Sequence, residues 1–407
     1  MSKRLEKLLV LSIWDEMWSL GEGCGVPDEL HFIEKLTERG IEIEYLIPEP
    51  HSKATQYQHA GLRYHTYPNV FSSLPGLPGP LRRIVLRGLF IRKLMPVLHR
   101  LIKEHKPDLI LGYSYFSLAP LKRISRKLGI PTVVKLFGVM YLRHHHLPWI
   151  KYMRYNHEQI VALKHTVDHY IVLNDGTQGR EALVENGIPP DKITFLPNGM
   201  NLGWADLVVD RGKSRHSLGL PADKKLVVTF SRLVRSKRVD IFLRAMAAVD
   251  KQLLEETAIV IGGSGPDLGS LELLSKKLGI AEKVHFIGAI KYNEIPLFLK
   301  SCDFFVGTNE LTNMSMPPCE ALLCGLPVVA FDIAGTSEVV RDGETGLLVK
   351  DGDIEGMTAR IEELLSNPGM IRELGERASV FAKRYFMSWD ERTSKELELF
   401  DRIVSQD

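Results

Sequence analysis

The chain carries only four cysteines in 407 residues, Cys24, Cys302, Cys319 and Cys324, and no two of them form a CxxC pair. That scarcity excludes a disulfide scaffold and a cysteine-based zinc finger, and it fits a reducing compartment. No apolar run approaches the roughly 20 residues that a membrane-spanning helix needs. The opening Met1-Ser2-Lys3-Arg4-Leu5-Glu6-Lys7 runs straight into a strand pattern and lacks the hydrophobic core of a secretion signal. The expectation is a cytoplasmic protein with peripheral contact at the inner face of a membrane.

Acidic side chains are nearly missing from one stretch. Residues 51–150 hold 2 Asp+Glu against 16 Lys+Arg, a balance of +14 in a chain whose net charge is +2. Such a block points to an anionic partner: a membrane surface, nucleic acid or a phosphorylated acceptor, and with the resemblance given below a lipid-linked or polyanionic acceptor. The aromatic platforms or reading helix of a nucleic-acid binder are not evident, so no nucleic acid is expected.

What is present is an ordinary globular composition, 44% hydrophobic and 25% charged, over a length that favours two domains. Short apolar strands alternate with helical patterns from Leu8 to Phe195 and again from Leu226 onward, which predicts an α/β protein with parallel sheets covered on both faces. The expected domains are 1–203 and 226–385, joined by a linker at 204–225, with a final helix at 386–407. After the first strand, Gly21-Glu22-Gly23-Cys24-Gly25-Val26-Pro27 forms a glycine loop before a helix, although its spacing is not GxGxxG. Leu81–Glu104 reads as a basic amphipathic helix, either lying on an anionic bilayer through 81–106 or covering the sheet with a solvated basic face. Pro96 should kink or divide it. His144-His145-His146 suit a loop patch better than a metal set.

Four features of the second half fall at strand ends. Ser231-Arg232 and Lys237 follow the first strand, with the two cations five residues apart, a layout able to clamp a diphosphate. Gly262-Gly263-Ser264-Gly265-Pro266 follows the second, offering close backbone approach. Gly288-Ala289-Ile290 follows the third, and the resemblance named below implies that a base would sit near it. The fourth leads through Asn313, Ser315, Met316 and Pro317 to Glu320, expected in the first turn of a short helix Cys319–Cys324. There it would take a ribose diol or merely stabilise its own helix.

These residues resemble the family 4 retaining glycosyltransferases. The likeness rests on Arg232-x4-Lys237, the glycine turn, Val284–Gly288, Pro318–Ala330, Gly335–Val340, Asp342–Val349 and, earlier, Leu196-Pro197-Asn198-Gly199. It implies the GT-B fold, two Rossmann-like parallel-sheet domains facing across a cleft, with the last helix crossing back. It implies a nucleoside-diphosphate sugar as donor, no required metal and retention at the anomeric carbon. By position, Arg232 and Lys237 would neutralise the departing diphosphate and Glu320 would hold the ribose. Gly25, Ser231, Gly263, Ile290, Asn313, Ser315, Met316 and Pro317 would line the donor site, and Phe137, Gly138 and Asn198 the acceptor side. Two positions depart from the family pattern. Thr312 stands where the first glutamate of Glu-x7-Glu belongs, with Glu310 two positions early, and Phe137 stands where many members carry histidine. Those departures leave room for a non-catalytic nucleotide-binding relative or a GT-B-like sugar-nucleotide epimerase beside the transferase.

Overall fold

The computed structural model describes residues 4–13, 27–49, 61–70, 79–139, 142, 147–173, 178–310, 316–333 and 335–406. The chain divides into two compact units, Met1–Gly199 with Trp389–Asp407, and Met200–Ser388. Gly25, His144, His145, His146, Thr312, Asn313 and Ser315 lie outside the described residues.

The first unit is built on seven strands: β1 (Lys7–Leu11), β2 (Glu42–Pro48), β3 (Leu62–Tyr67), β4 (Leu109–Tyr113), β5 (Thr132–Leu136), β6 (His169–Val172) and β7 (Ile193–Phe195). All pair in parallel, in the order β3-β2-β1-β4-β5-β6-β7. Strands such as Leu109–Tyr113 and Thr132–Leu136 are buried at every residue, as a sheet covered on both faces requires. The crossovers carry α1 (Pro27–Glu38), α2 (Gly79–His105), α3 (Leu118–Leu128), α4 (Trp149–Ala162) and α5 (Gly179–Glu185).

Helix α2 runs unbroken through Pro96. The helix is therefore not divided at Pro96, which lies on the exposed side, where water can donate to the carbonyl that the proline leaves without an N–H. The apolar side of α2 faces inward: Phe90, Leu94, Leu98 and Leu101 are buried in the core with Leu118 and Leu121 of α3.

The second unit has six strands: β8 (Lys225–Phe230), β9 (Thr257–Gly262), β10 (Val284–Gly288), β11 (Phe304–Gly307), β12 (Val328–Phe331) and β13 (Gly346–Val349). Their order is β10-β9-β8-β11-β12-β13, again all parallel. Around them lie α6 (Arg211–Ser217), α7 (Val239–Ala248), α8 (Lys251–Glu255), α9 (Leu268–Lys277), α10 (Ile295–Lys300), α11 (Met316–Leu323), α12 (Thr336–Val339), α13 (Ile354–Ser366) and α14 (Pro368–Tyr385). Among the described residues no helix is long and apolar enough to cross a membrane.

Residues 204–225, expected as a linker, belong to this unit. Trp204 is buried against Tyr292, with ring centres 5.1 Å apart. Arg215 of α6 is 7% exposed. Its guanidinium donates to Ser301 O at 2.9 Å, Ala222 O at 3.0 Å, Lys224 O at 2.9 Å and Asp303 Oδ2 at 3.0 Å. Those acceptors sit at the entrances of β8 and β11, so one side chain aligns two adjacent strands. Local composition reads as polar punctuation; the partners that bury it are some 80 positions away in sequence.

The last helix, α15 (Trp389–Ser405), returns to the first unit. It brings buried Arg392 and Glu396, which pair with each other, and Glu396 lies 2.8 Å from the buried Lys135 Nζ of β5. Lys135 also sits 3.8 Å from the centre of the Phe32 ring and 3.9 Å from Glu29. Tyr45 and Tyr113 donate their hydroxyls to Glu29. Two acids therefore face two bases inside the unit, and that balance makes their burial tolerable.

Removing one partner of a dense buried network leaves the others desolvated and unpaired. Arg215→Ala should lower the unfolding free energy of the second unit by about 3 kcal/mol, read as a lower midpoint in urea denaturation. An unchanged midpoint would show that Arg215 does not organise the two strands.

Candidate functional site

In each sheet the strand order reverses beside its first strand, between β1 and β4 and between β8 and β11. Loops leaving the carboxyl ends of strands at such a reversal diverge and leave room for a ligand. In the second unit those loops carry the cations singled out from the sequence.

Ser231 and Lys237 are half-buried and Arg232 is exposed. Lys237 closes a 3-10 turn, Arg235–Lys237. Burial, and then the positive charge of Arg232, hold its ammonium pKa below the usual lysine value. Neither Arg232 nor Lys237 has a side-chain hydrogen-bond or ion-pair partner among the described residues. Two like charges are thus kept near each other without an anion.

The next residue, Arg238, adopts a left-handed φ of 48° at the start of α7. Its guanidinium donates to Thr308 O and Asn309 O, both at 2.8 Å, and to Asp351 Oδ1 at 2.7 Å. It also lies 5.0 Å from the centre of the Phe331 ring. Thr308 Oγ1 donates to Lys237 O at 3.0 Å, and Glu310 N donates to Ser236 O at 3.0 Å. The loops after β8 and β11 are therefore one hydrogen-bonded body. Sequence reasoning missed Arg238, whose only local signal is its place in a basic run.

The glycine turn after β9 packs on the same loop. Ser231 N donates to Gly262 O at 3.1 Å, Leu233 N to Ser264 O at 2.8 Å and Gly263 N to Gly288 O at 2.6 Å. A Cβ on Gly263, at φ +118°, would stand 1.8 Å from Ser231 O, and one on Gly265 would stand 2.3 Å from Leu233 O. A Cβ on Gly262 would lie 2.6 Å from Ile290 Cδ1. Ser231, Gly263 and Ile290 are thus brought together by backbone approaches that only glycine permits.

Glu320 lies on α11, which starts at Met316, so it occupies the second turn rather than the first. The helix-start charge expected to steady it therefore does not apply. The half-buried Met316 and Pro317 occupy the first turn instead. Glu320 is 4% exposed, and burial alone pushes its pKa up to about 8. No donor reaches its carboxyl among the described residues. A buried carboxyl without a donor, on the helix that follows the β11 loop, is poised for hydroxyls brought by a ligand. The nearby thiols are inert, since burial pushes Cys324 up to about 12 and Cys319 higher.

In the first unit, half-buried Phe137 and Gly138 follow β5, and Phe137 meets Tyr113 edge-on with ring centres 5.7 Å apart. Asn198 is half-buried after β7. Its neighbour Gly199 passes so close to Trp389 that a Cβ would stand 2.7 Å from the Trp389 Cα, which fixes the start of α15. At the end of β4, beside the strand reversal, buried Ser114 holds φ 66° and ψ 163°, a conformation normally left to glycine. No sequence signal marks it.

One grouping among the described residues could hold a metal: Glu44, His65 and His105. It lies in the first unit, and Glu44 already accepts from Arg63 Nε at 2.6 Å and contacts His65 at 2.6 Å. The guanidinium makes it an ion-pair hub.

Two doubly wound parallel-sheet units of seven and six strands define the GT-B class of fold. Comparison with known proteins carries the assignment further. A family model described as glycosyl transferases group 1 matches residues 210–381, and one described as glycosyl transferase 4-like domain matches residues 30–199. The chain belongs to this group, the family 4 type of GT-B glycosyltransferase.

Among its relatives is a GDP-mannose-dependent alpha-(1-6)-phosphatidylinositol monomannoside mannosyltransferase of Mycolicibacterium smegmatis, 32% identical over 46% of this chain and 50% of that protein. The chain spans about half the length of the curated relatives it matches. Among solved structures, sucrose-phosphate synthase from Thermosynechococcus elongatus superposes with a TM-score of 0.78 at 17% identity, over 99% of this chain and 100% of that one. Anabaena HepE in complex with UDP and glucose gives 0.70 at 19%, over 98% and 100%.

Two outcomes test this geometry. Gly263→Ala forces a Cβ into the Ser231 carbonyl at a positive φ and should cost about 2 kcal/mol or more, seen as a lower melting temperature. Glu320 has a folded pKa raised above its unfolded value, so the stability it contributes is present below pH 4.5 and is lost as pH rises toward 8. Glu320→Gln should therefore flatten the fall in melting temperature of the nucleotide-free protein between pH 5 and 8. Parallel wild-type and variant curves would sink the raised pKa.

Proposed function

We propose that the protein is a retaining glycosyltransferase that moves a sugar from a nucleoside-diphosphate sugar to a lipid-linked or polyanionic acceptor, in envelope polysaccharide or glycolipid assembly. The observation that carries it is the pair Arg232 and Lys237, two cations held together with no counter-ion among the described residues.

A diphosphate would supply the missing charge. As the bond between the anomeric carbon and the phosphate oxygen breaks, the electron pair leaves with the diphosphate. Arg232 and Lys237 would meet that developing charge in fixed positions, so the metal used elsewhere for this purpose is not required. The acceptor hydroxyl bonds to the anomeric carbon on the face the diphosphate leaves, and its proton departs with the leaving group. Glu320 would take the ribose diol, Ile290 would lie under the base, and Gly263 would let the backbone approach the phosphates. Phe137, Gly138 and Asn198, at strand ends of the first unit, would face the acceptor. The lipid acceptor in the name of the mycobacterial relative supports that class of substrate here. The 16 basic residues of 51–150 would draw the chain to an anionic membrane surface.

A thermal-shift panel of UDP-, GDP-, ADP- and TDP-sugars in EDTA tests the donor site. One nucleotide at 100-fold over its Kd should raise the melting temperature by about 5 °C. Arg232→Ala and Lys237→Ala should each weaken it about tenfold or more. If no nucleotide stabilises the wild type, the diphosphate clamp is wrong.

A further inference from the structure

We propose that the start of α4 is an apolar wedge that inserts into an anionic lipid bilayer, with the cations of α2, α3 and α4 around it binding the headgroups. The inference deepens the membrane part of the reading above and rests on it for its setting. It does not depend on which nucleotide the donor site takes.

Membrane insertion needs apolar side chains that are not already used in a core. Among its described side chains helix α2 turns its apolar side inward, and Arg92, Lys93, His99, Arg100 and Lys103 are among those it exposes. Helix α3 is the same, with Leu118, Leu121 and Ile124 buried and Arg123, Arg126 and Lys127 outside.

Helix α4 differs. Pro148 caps it, and Trp149 and Ile150 follow at 74% and 78% exposure, with Tyr155 at 56% one turn on. In the first unit no other large apolar side chain among those described is as exposed as these two. Exposed Lys151 and Arg154 lie in sequence between them and Tyr155, so cations flank the apolar tip. The inward arc, with Tyr152 and Ile160, packs on the core beside buried Ala162 and Leu163.

The three helices pack on one core and hence cover one face of the sheet. Their cations converge: the imidazole of His165, just past α4, is held below its usual pKa by burial and by Lys122, Arg87 and Arg123. Acidic residues are few on these helices, Glu104 on α2 and Glu158 on α4 with none on α3, while the charge of Glu185 on α5 reaches Tyr152 of α4. A broad basic field with a projecting indole and an aliphatic tip matches an anionic interface, where tryptophan settles at headgroup level.

Co-sedimentation of the full chain with vesicles of 30% phosphatidylglycerol in phosphatidylcholine tests the proposal. Wild type should bind at 50 mM salt, more weakly at 500 mM, and poorly to phosphatidylcholine alone. The double variant Trp149→Ser/Ile150→Ser, which alters only exposed side chains, should lose about tenfold in partitioning. Its nucleotide-induced thermal shift should match wild type, so a lost vesicle contact is separable from a failed donor site. Brominated lipid should quench wild-type tryptophan emission, and Trp149→Phe should still bind but lose that quenching. Equal partitioning of wild type and double variant, no binding of wild type, or equal binding to both lipid mixtures would overturn it. So would a wild-type dimer in sedimentation velocity that the double variant abolishes, because the pair would then serve self-association.

Discussion

The guanidinium of Arg238 is the contact on which the site loops of the second unit depend. It bonds two carbonyls after β11 and a carboxylate after β13, and it stacks on the last residue of β12. A residue that begins α7 thus fixes the exits of three strands. The left-handed φ of Arg238 is the strain that this position imposes, and three hydrogen bonds with a cation–π contact offset it. Arg238 is satisfied by protein groups, whereas the other three cations of the run, Arg232, Arg235 and Lys237, have no side-chain partner among the described residues. Division of labour within one short basic loop makes both the rigidity and the vacancy of charge.

The first unit treats buried charge in the opposite way. Lys135, Arg392, Glu29 and Glu396 are balanced, two against two, and Tyr45 and Tyr113 complete the acceptors of Glu29. Burial and the Glu29 charge hold both tyrosine hydroxyls protonated well above the ordinary range, so they act as fixed donors. That network, with Arg39 bonding Asp401 at 2.8 Å and Phe32 meeting Phe400 edge-on, is what returns α15 to this unit. This network balances its charges, although Arg392 Nε and Nη2 are buried without a hydrogen-bond partner among the described residues, whereas Arg232 and Lys237 are two charges of one sign.

What was legible in the sequence follows from range. Parallel strands buried on both faces read as short apolar runs, so the alternation that defines both sheets was visible. Arg232, Lys237 and the glycine turn were visible because their chemistry is local. That Glu320 sits on a short helix was readable, but its turn and its state were not, since α11 begins at Met316 and burial pushes the carboxyl pKa up. Residues 204–225 looked like a linker because the partners of Trp204 and Arg215 lie far along the chain. Helix α2 read correctly as basic and amphipathic, yet periodicity alone does not say whether its apolar side meets lipid or sheet. The reverse error hides α4, whose Trp149 would be assigned to a core by residue type alone.

Glu320 and Lys237 share a property that links stability to ligand. Each is pushed toward its neutral form, the carboxyl up by burial and the ammonium down by burial and by Arg232. Neither form is the one a nucleoside diphosphate prefers, because phosphates favour a charged ammonium and a ribose diol is best held by an ionised carboxylate. The nucleotide-free site is therefore held against its own electrostatics, and the fold tolerates it because Arg238 and the glycine contacts over-determine the loops. A bound diphosphate would relieve the repulsion at Lys237, and two hydroxyls would supply the donors that Glu320 lacks. The same ligand would then stabilise two unfavourable groups at once, and its affinity would draw on strain already present in the fold as well as on new contacts.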